Sequence, residues 1–193
     1  MKSYDLSGNL TKCTRAKNGY KWQYHHGMAA QGFFVYFKTK KSADEFVRHS
    51  NKFVKNMFMQ SNQVYSDLFV MWRSIYMHYE KSDRDVKKII ACIENIDFQF
   101  NRWTKWHTFG SGDYATYVFE APQAIQGQLK DMAETLRAYA KRQSNTSMVY
   151  QLDSKLSYLN FLELQYRDFE KYSREGDNIT KIINLPILQI MAS

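Results

Sequence analysis

Proline and glycine are scarce in this 193-residue chain, two and eight of them. A sandwich or barrel of many short strands needs turn residues at each reversal, so that shortage argues against it and in favour of long helices. The two cysteines, Cys13 and Cys92, stand far apart and form no pair motif. A disulfide scaffold is therefore not expected, and the reading is two reduced thiols in an intracellular setting, cytoplasmic or, for a phage-encoded chain, within a virion. No apolar run reaches the roughly 18 residues that a bilayer span requires. Met1-Lys2-Ser3-Tyr4-Asp5 leads into polar sequence rather than the apolar core of a signal peptide. No membrane partner is expected.

Catalytic signatures are missing as well. There is no Gly-x-x-x-x-Gly-Lys-Ser/Thr loop, no Gly-x-Ser-x-Gly elbow and no His-Glu-x-x-His pair. A di-iron bundle needs Glu-x-x-His twice and finds it nowhere. His25 and His26 are neighbours, and on a strand they face opposite sides, poorly placed to share one metal. His49, His78 and His107 stand alone. The expectation is a non-enzyme with no catalytic residue, no metal and no cofactor.

What the chain does have is aromatic side chains, 16% of residues, and a net charge of +8. That charge is confined to one end. Residues Met1 to Lys55 carry eleven Lys and Arg against three acids, whereas Asn56 to Ser193 carries sixteen of each. A basic segment is thus joined to a neutral body, an asymmetry that points to an anionic partner, nucleic acid above all.

Neither Gly nor Pro occurs from Phe33 to Phe109, or from Gln128 to Glu175. A first helix is expected to open at Ser42, with Glu45 completing a capping box, and to bury Phe46, Phe53, Met57, Val64, Leu68, Trp72, Ile75 and Tyr79 along one face. Gln60-Ser61-Asn62 is a candidate interruption. A second helix restarts after Ser82 with the stripe Val86, Ile89, Ile93, Ile96, Phe100, Trp103. Beyond the Gly110-Ser111-Gly112 loop, Tyr114 to Phe119 reads as a short strand and Pro122 as a first-turn proline. The third helix carries Ile125, Leu129, Met132, Leu136, Tyr139, and the fourth Leu152, Leu156, Leu159, Tyr166, Phe169, ending at Gly176. Residues 42–176 therefore predict a helical bundle. The tail at 177–193, with Ile179, Ile182, Ile183, Leu185, Ile187 and Leu188, is apolar and shaped to dock on its own bundle or on a partner; these six are the candidate partner-docking residues.

Residues 1–41 read differently. Tyr20, Trp22 and Tyr24 alternate with polar neighbours, Asn18-Gly19 is a hairpin signal, and Phe33 to Lys38 forms a second strand. An antiparallel sheet running into the Ser42 helix makes a βββα unit, and the expected class is α+β, mainly α: a small N-terminal sheet followed by four to five helices. The run Lys17-Asn18-Gly19-Tyr20-Lys21-Trp22-Gln23-Tyr24, then Gly32, then Phe37-Lys38-Thr39-Lys40-Lys41-Ser42-Ala43-Asp44-Glu45-Phe46 resembles the AP2-like DNA-binding domain, which also serves as the arm-binding domain of phage-type integrases. The resemblance covers residues 10–55 and implies a sheet inserted in the DNA major groove, with Trp22 as the second-strand Trp and Arg15, Lys17 and Lys21 on DNA-facing strands. The chain departs from that family at Tyr36, where Gly is usual, and no integrase catalytic domain follows.

Two functions from different classes follow. One is nucleic-acid binding, DNA first, through Arg15, Lys17, Lys21, Trp22, Tyr24, Lys38, Lys40 and Lys41, the bundle serving homo-oligomer or partner contacts. The other is a structural subunit of a larger assembly, of the phage head–tail connector type, with the tail as its contact.

Overall fold

The computed structural model describes the backbone of residues 14–15, 22–26, 33–78, 83–109, 114–173 and 179–190, and side chains within 37–78, 83–101, 122–173 and 179–190. Where side chains are described, about 90% of residues are helical, and beyond Phe37 none of them lies in a strand. The α+β expectation is corrected accordingly: the fold is a helical bundle. Ahead of it the backbone pairs over three short antiparallel segments, β1 (Thr14–Arg15), β2 (Trp22–His26) and β3 (Phe33–Phe37), in the order β1-β2-β3. The ladders hold two and five residue pairs, and β2 and β3 both approach α1. Phe37, the one strand residue whose side chain is described, enters the core against Phe46 at 5.2 Å between ring centroids.

Helix α1 spans Lys40–Tyr76, 37 residues without a break. Its cap is Thr39, whose hydroxyl accepts from the Ser42 N–H at 3.1 Å, so the start lies three residues before the expected Ser42 cap. Gln60-Ser61-Asn62 does not interrupt it, because a polar triplet without Gly or Pro keeps every backbone hydrogen bond available. Its apolar stripe is buried as the 3.6-residue period requires, from Phe46 through Phe53, Met57, Val64, Leu68 and Trp72 to Ile75; the expected last member, Tyr79, lies outside the described residues.

Helix α2 (Arg84–Phe109) starts with the Asp83 carboxylate accepting from the Asp85 N–H at 2.7 Å. It runs antiparallel to α1: Phe58 meets Phe100 edge-on at 5.3 Å, and the Tyr65 hydroxyl donates to Asp97 at 2.8 Å. Helix α3 begins at Tyr114 and continues to Arg142, so the segment expected as a strand at Tyr114–Phe119 is helical. Pro122 sits inside α3, buried, rather than in its first turn. Arg142 near the end of α3 pairs with Asp85 at the start of α2.

A three-residue turn leads to α4 (Thr146–Ser173). Lys130 pairs with Glu163 at 2.8 Å and Arg137 with Asp153 at 2.5 Å, which sets α3 and α4 antiparallel. Lys130 donating to Glu163 also holds that carboxyl below its ordinary range. Helix α4 closes against α1 through Phe53 stacked on Phe169 at 4.0 Å, Tyr158 donating to Gln60 at 2.8 Å, and the pair Lys155–Asp67. The four long helices alternate up and down around a core that includes Leu68, Ile89, Ile96, Ile125, Leu129, Met132, Leu136, Leu159 and Leu162.

Two short helices, α5 (Ile179–Ile183) and α6 (Pro186–Gln189), follow α4. They lie on α1 and α4. Asn56 of α1 donates to the Ile187 carbonyl at 2.7 Å, and Gln165 of α4 accepts from the Ile187 N–H at 3.1 Å. Both polar side chains are buried, so each reaches the tail's backbone from a different helix and fixes α6 in the groove between them.

Candidate nucleic-acid interface

The expected interface residues fall into three groups. Lys17 and Lys21 lie outside the described residues. Arg15, Trp22 and Tyr24 are placed by backbone register only, Arg15 opposite Trp22 and Tyr24 opposite Val35. Lys38, Lys40 and Lys41 are exposed at the entry to α1, and Lys40 is paired with Asp44 at 2.9 Å.

Helix geometry aligns further bases with Lys41. Lys41, Arg48, Lys52 and Lys55 are all exposed, and their spacing of seven, four and three residues keeps them within an arc of roughly 60° on a helix of 3.6 residues per turn. The stripe runs about 21 Å along the axis at 1.5 Å per residue. No carboxylate falls inside that arc; Asp44 and Glu45 lie to either side of it. Beyond Lys55 the same line continues through Met59 and Ser66 to Val70, Arg73 and Met77, and the concentration of charge ends. The signal was available in the sequence as a recurrence of bases at helical spacing within a stretch already known to be basic.

Two bases on the stripe, Arg48 and Lys52, have defined neighbours. Arg48 Nη2 donates to His49 Nε2 at 3.3 Å, a contact that suits a neutral imidazole. Burial, then the Arg48 charge, hold the His49 pKa below its usual value, with Lys52 adding to the effect and Glu45 opposing it. The Lys52 ammonium donates to the Leu188 carbonyl of the tail at 2.5 Å. Lys52 therefore sits at the border between the stripe and the docked C-terminal segment, and the tail orients it.

The six candidate partner-docking residues are placed on the chain's own helices. Ile182, Leu185, Ile187 and Leu188 are buried, and Ile179 and Ile183 are half-buried. The apolar surface that called for a partner is already covered by α1 and α4. Asn56 and Gln165, the polar residues that receive the tail, were not singled out from the sequence. Their signal is faint, a polar residue at a core position on each of two helices.

Among the described residues no group of three His, Cys, Asp or Glu is placed to hold a metal ion. No described helix is long and apolar enough to cross a membrane. A shallow hollow of about 220 Å³ at the turn between α3 and α4 is lined by Lys141, Ser144, Asn145 and Tyr150 among others, and there the Asn145 side chain caps α4 by accepting from the Met148 N–H at 3.0 Å. The Cys92 thiol is buried, and that burial followed by the Asp131 charge raises its pKa, which disfavours the reactive thiolate.

No family model, no curated protein and no solved structure matches this chain. The resemblance over residues 10–55 accordingly gains no support from them.

Proposed function

We propose that this chain binds nucleic acid, DNA in the first instance, through the basic face of α1 together with the basic residues that precede it. The observation that carries the reading is the stripe Lys41, Arg48, Lys52, Lys55, exposed and free of carboxylates within its arc. A line of cations about 21 Å long outreaches any single small anion and spans about six phosphates of one strand, because each strand presents a charge every 3.4 Å of duplex axis. The excess charge of residues 1–55 over a neutral remainder supports the same reading. Binding rather than catalysis is the role that such a surface performs.

The test is fluorescence anisotropy with labelled single-stranded and duplex DNA at two or more salt concentrations. Five or six phosphate contacts give a log–log slope of roughly −5. The triple variant Lys41→Gln, Arg48→Gln, Lys55→Gln leaves Lys52 and its tail contact intact and should weaken binding at least tenfold in moderate salt. Wild-type protein that ignores both DNA forms at low salt would overturn the proposal.

The second reading is a subunit of a larger assembly. Its tail is packed on the chain's own helices, and its remaining support is the exposed pair Val70 in α1 and Met77 at the C-cap of that helix, 67% and 83% accessible. A solution mass equal to one chain at micromolar concentration argues against self-assembly.

A further inference from the structure

The stripe on α1 does not end at the edge of that helix. Lys52 reaches from it to the Leu188 carbonyl, so the C-terminal segment borders the basic face directly. Asn56 on α1 and Gln165 on α4 both hold Ile187, which places α6 in the groove between those helices. The segment thereby forms a bridge from the α1 stripe to α4. Six residues, mostly helical, separate Leu188 from Lys181, a span of roughly 10–15 Å. Lys181 is exposed, with its ammonium 5.3 Å from the centre of the Tyr172 ring. Lys171, also exposed, lies 6.0 Å from the centre of the same ring. Two cations from different elements thus converge on one half-buried aromatic at the C-terminal end of α4.

From this juxtaposition we infer that the docked C-terminal segment is part of the nucleic-acid-binding surface, with Lys171 and Lys181 about Tyr172 as a second phosphate-contacting cluster that continues the α1 stripe across the α1/α4 groove. The inference rests on the reading of α1 as a nucleic-acid-binding face. It assigns the segment a role besides covering the groove: its buried side chains hold it down while its exposed lysine faces the ligand. The Tyr172 ring keeps both lysine side chains gathered, because a cation over an aromatic face is held by the ring quadrupole. Asp168 and Glu170 occupy the same end of α4 and temper the field there. The second cluster therefore contributes less than the stripe, which has no carboxylate within its arc.

The experiment uses the full chain with a labelled 20-nucleotide single strand and the corresponding duplex, titrated at several salt concentrations. Lys171→Gln with Lys181→Gln is compared with a charge-matched control, Lys87→Gln with Lys88→Gln, two exposed lysines on α2. The first pair should weaken binding three- to tenfold and make the salt slope shallower by roughly one to two, since each lost phosphate contact removes about 0.7 to 0.9 of slope. The control should leave both unchanged. Thermal melting of each variant separates a lost contact from a lost fold, and a second pair, Lys171→Arg with Lys181→Arg, should restore wild-type affinity by keeping the charge. If wild type binds and the stripe variant weakens it while Lys171→Gln with Lys181→Gln behaves as the control does, the inference fails and the proposed function stands. If wild type binds neither probe at low salt, the proposed function fails first and the inference with it.

Discussion

Asn56 is a buried amide with two tail carbonyls in reach, Ile187 at 2.7 Å and Ile190 at 3.4 Å. Truncating it leaves the Ile187 carbonyl without that donor inside the fold, and an orphaned buried acceptor costs about 1–3 kcal/mol. Asn56→Ala should lower the urea midpoint accordingly with an unchanged m-value, and a shift under about 0.5 kcal/mol would mean that the contact is idle. His49 carries a pH dependence whose sign is set by its lowered pKa. The folded chain binds its proton less readily than the unfolded chain does, so stability falls as pH drops below about 6.5. Melting curves from pH 7.5 to 5 should show wild type losing more than His49→Gln over that window. Sensitivity of this kind was not legible beforehand, since a lone histidine in a string reveals neither its burial nor the charges beside it.

The turn between α3 and α4 carries Ser144 at φ 54°, a left-handed backbone that a serine side chain disfavours. Around it the Asn145 N–H bonds the Ala140 carbonyl at 2.9 Å, and the Ser144 N–H bonds the Lys141 carbonyl at 3.0 Å. Ser144→Gly should therefore stabilise the chain by about 0.5–1 kcal/mol, readable as a raised urea midpoint; a lowered midpoint would contradict it. The tail elements present the opposite case. Ile182, Leu185, Ile187 and Leu188 are buried, and each such side chain contributes up to about 1.5–3 kcal/mol. Leu188→Ala should cost about 2–5 kcal/mol by cavity formation, and removing residues 178–193 should cost more, because the apolar groove of α1 and α4 is then exposed. Unchanged melting after that deletion would mean that the tail does not dock.

Elements were legible where local periodicity decides and obscure where it does not. The buried stripes of all four long helices follow the 3.6-residue period, and nearly every member expected inside is inside where its side chain is described. Tyr114–Phe119 misled because aromatic and β-branched residues favour strands in isolation, yet the helix that follows extends back through them. Pro122 was misplaced for the same reason: a proline is tolerated within α3 at the loss of one backbone hydrogen bond, and its position relative to the helix start depended on where that start fell.

For the molecule as a whole, the described core is assembled from residue 37 onward. A chain begun at residue 33 should then keep its helical circular dichroism and cooperative unfolding. On the proposed function it should also bind DNA more weakly and with a shallower salt slope, since five of the eleven bases in the first 55 residues would be gone. Loss of cooperative unfolding in that chain would show that the first 32 residues belong to the core.

The helical class of the body, its number of long helices and the concentration of charge at one end were determined by the sequence itself, because each follows from composition or from a repeat of a few residues. The tertiary structure decided what covers the tail and which bases share a face with it. Asn56 meets Ile187 across 131 positions and Lys52 meets Leu188 across 136. Contacts at such separation are selected by the packing of whole helices, which no local pattern of residues encodes.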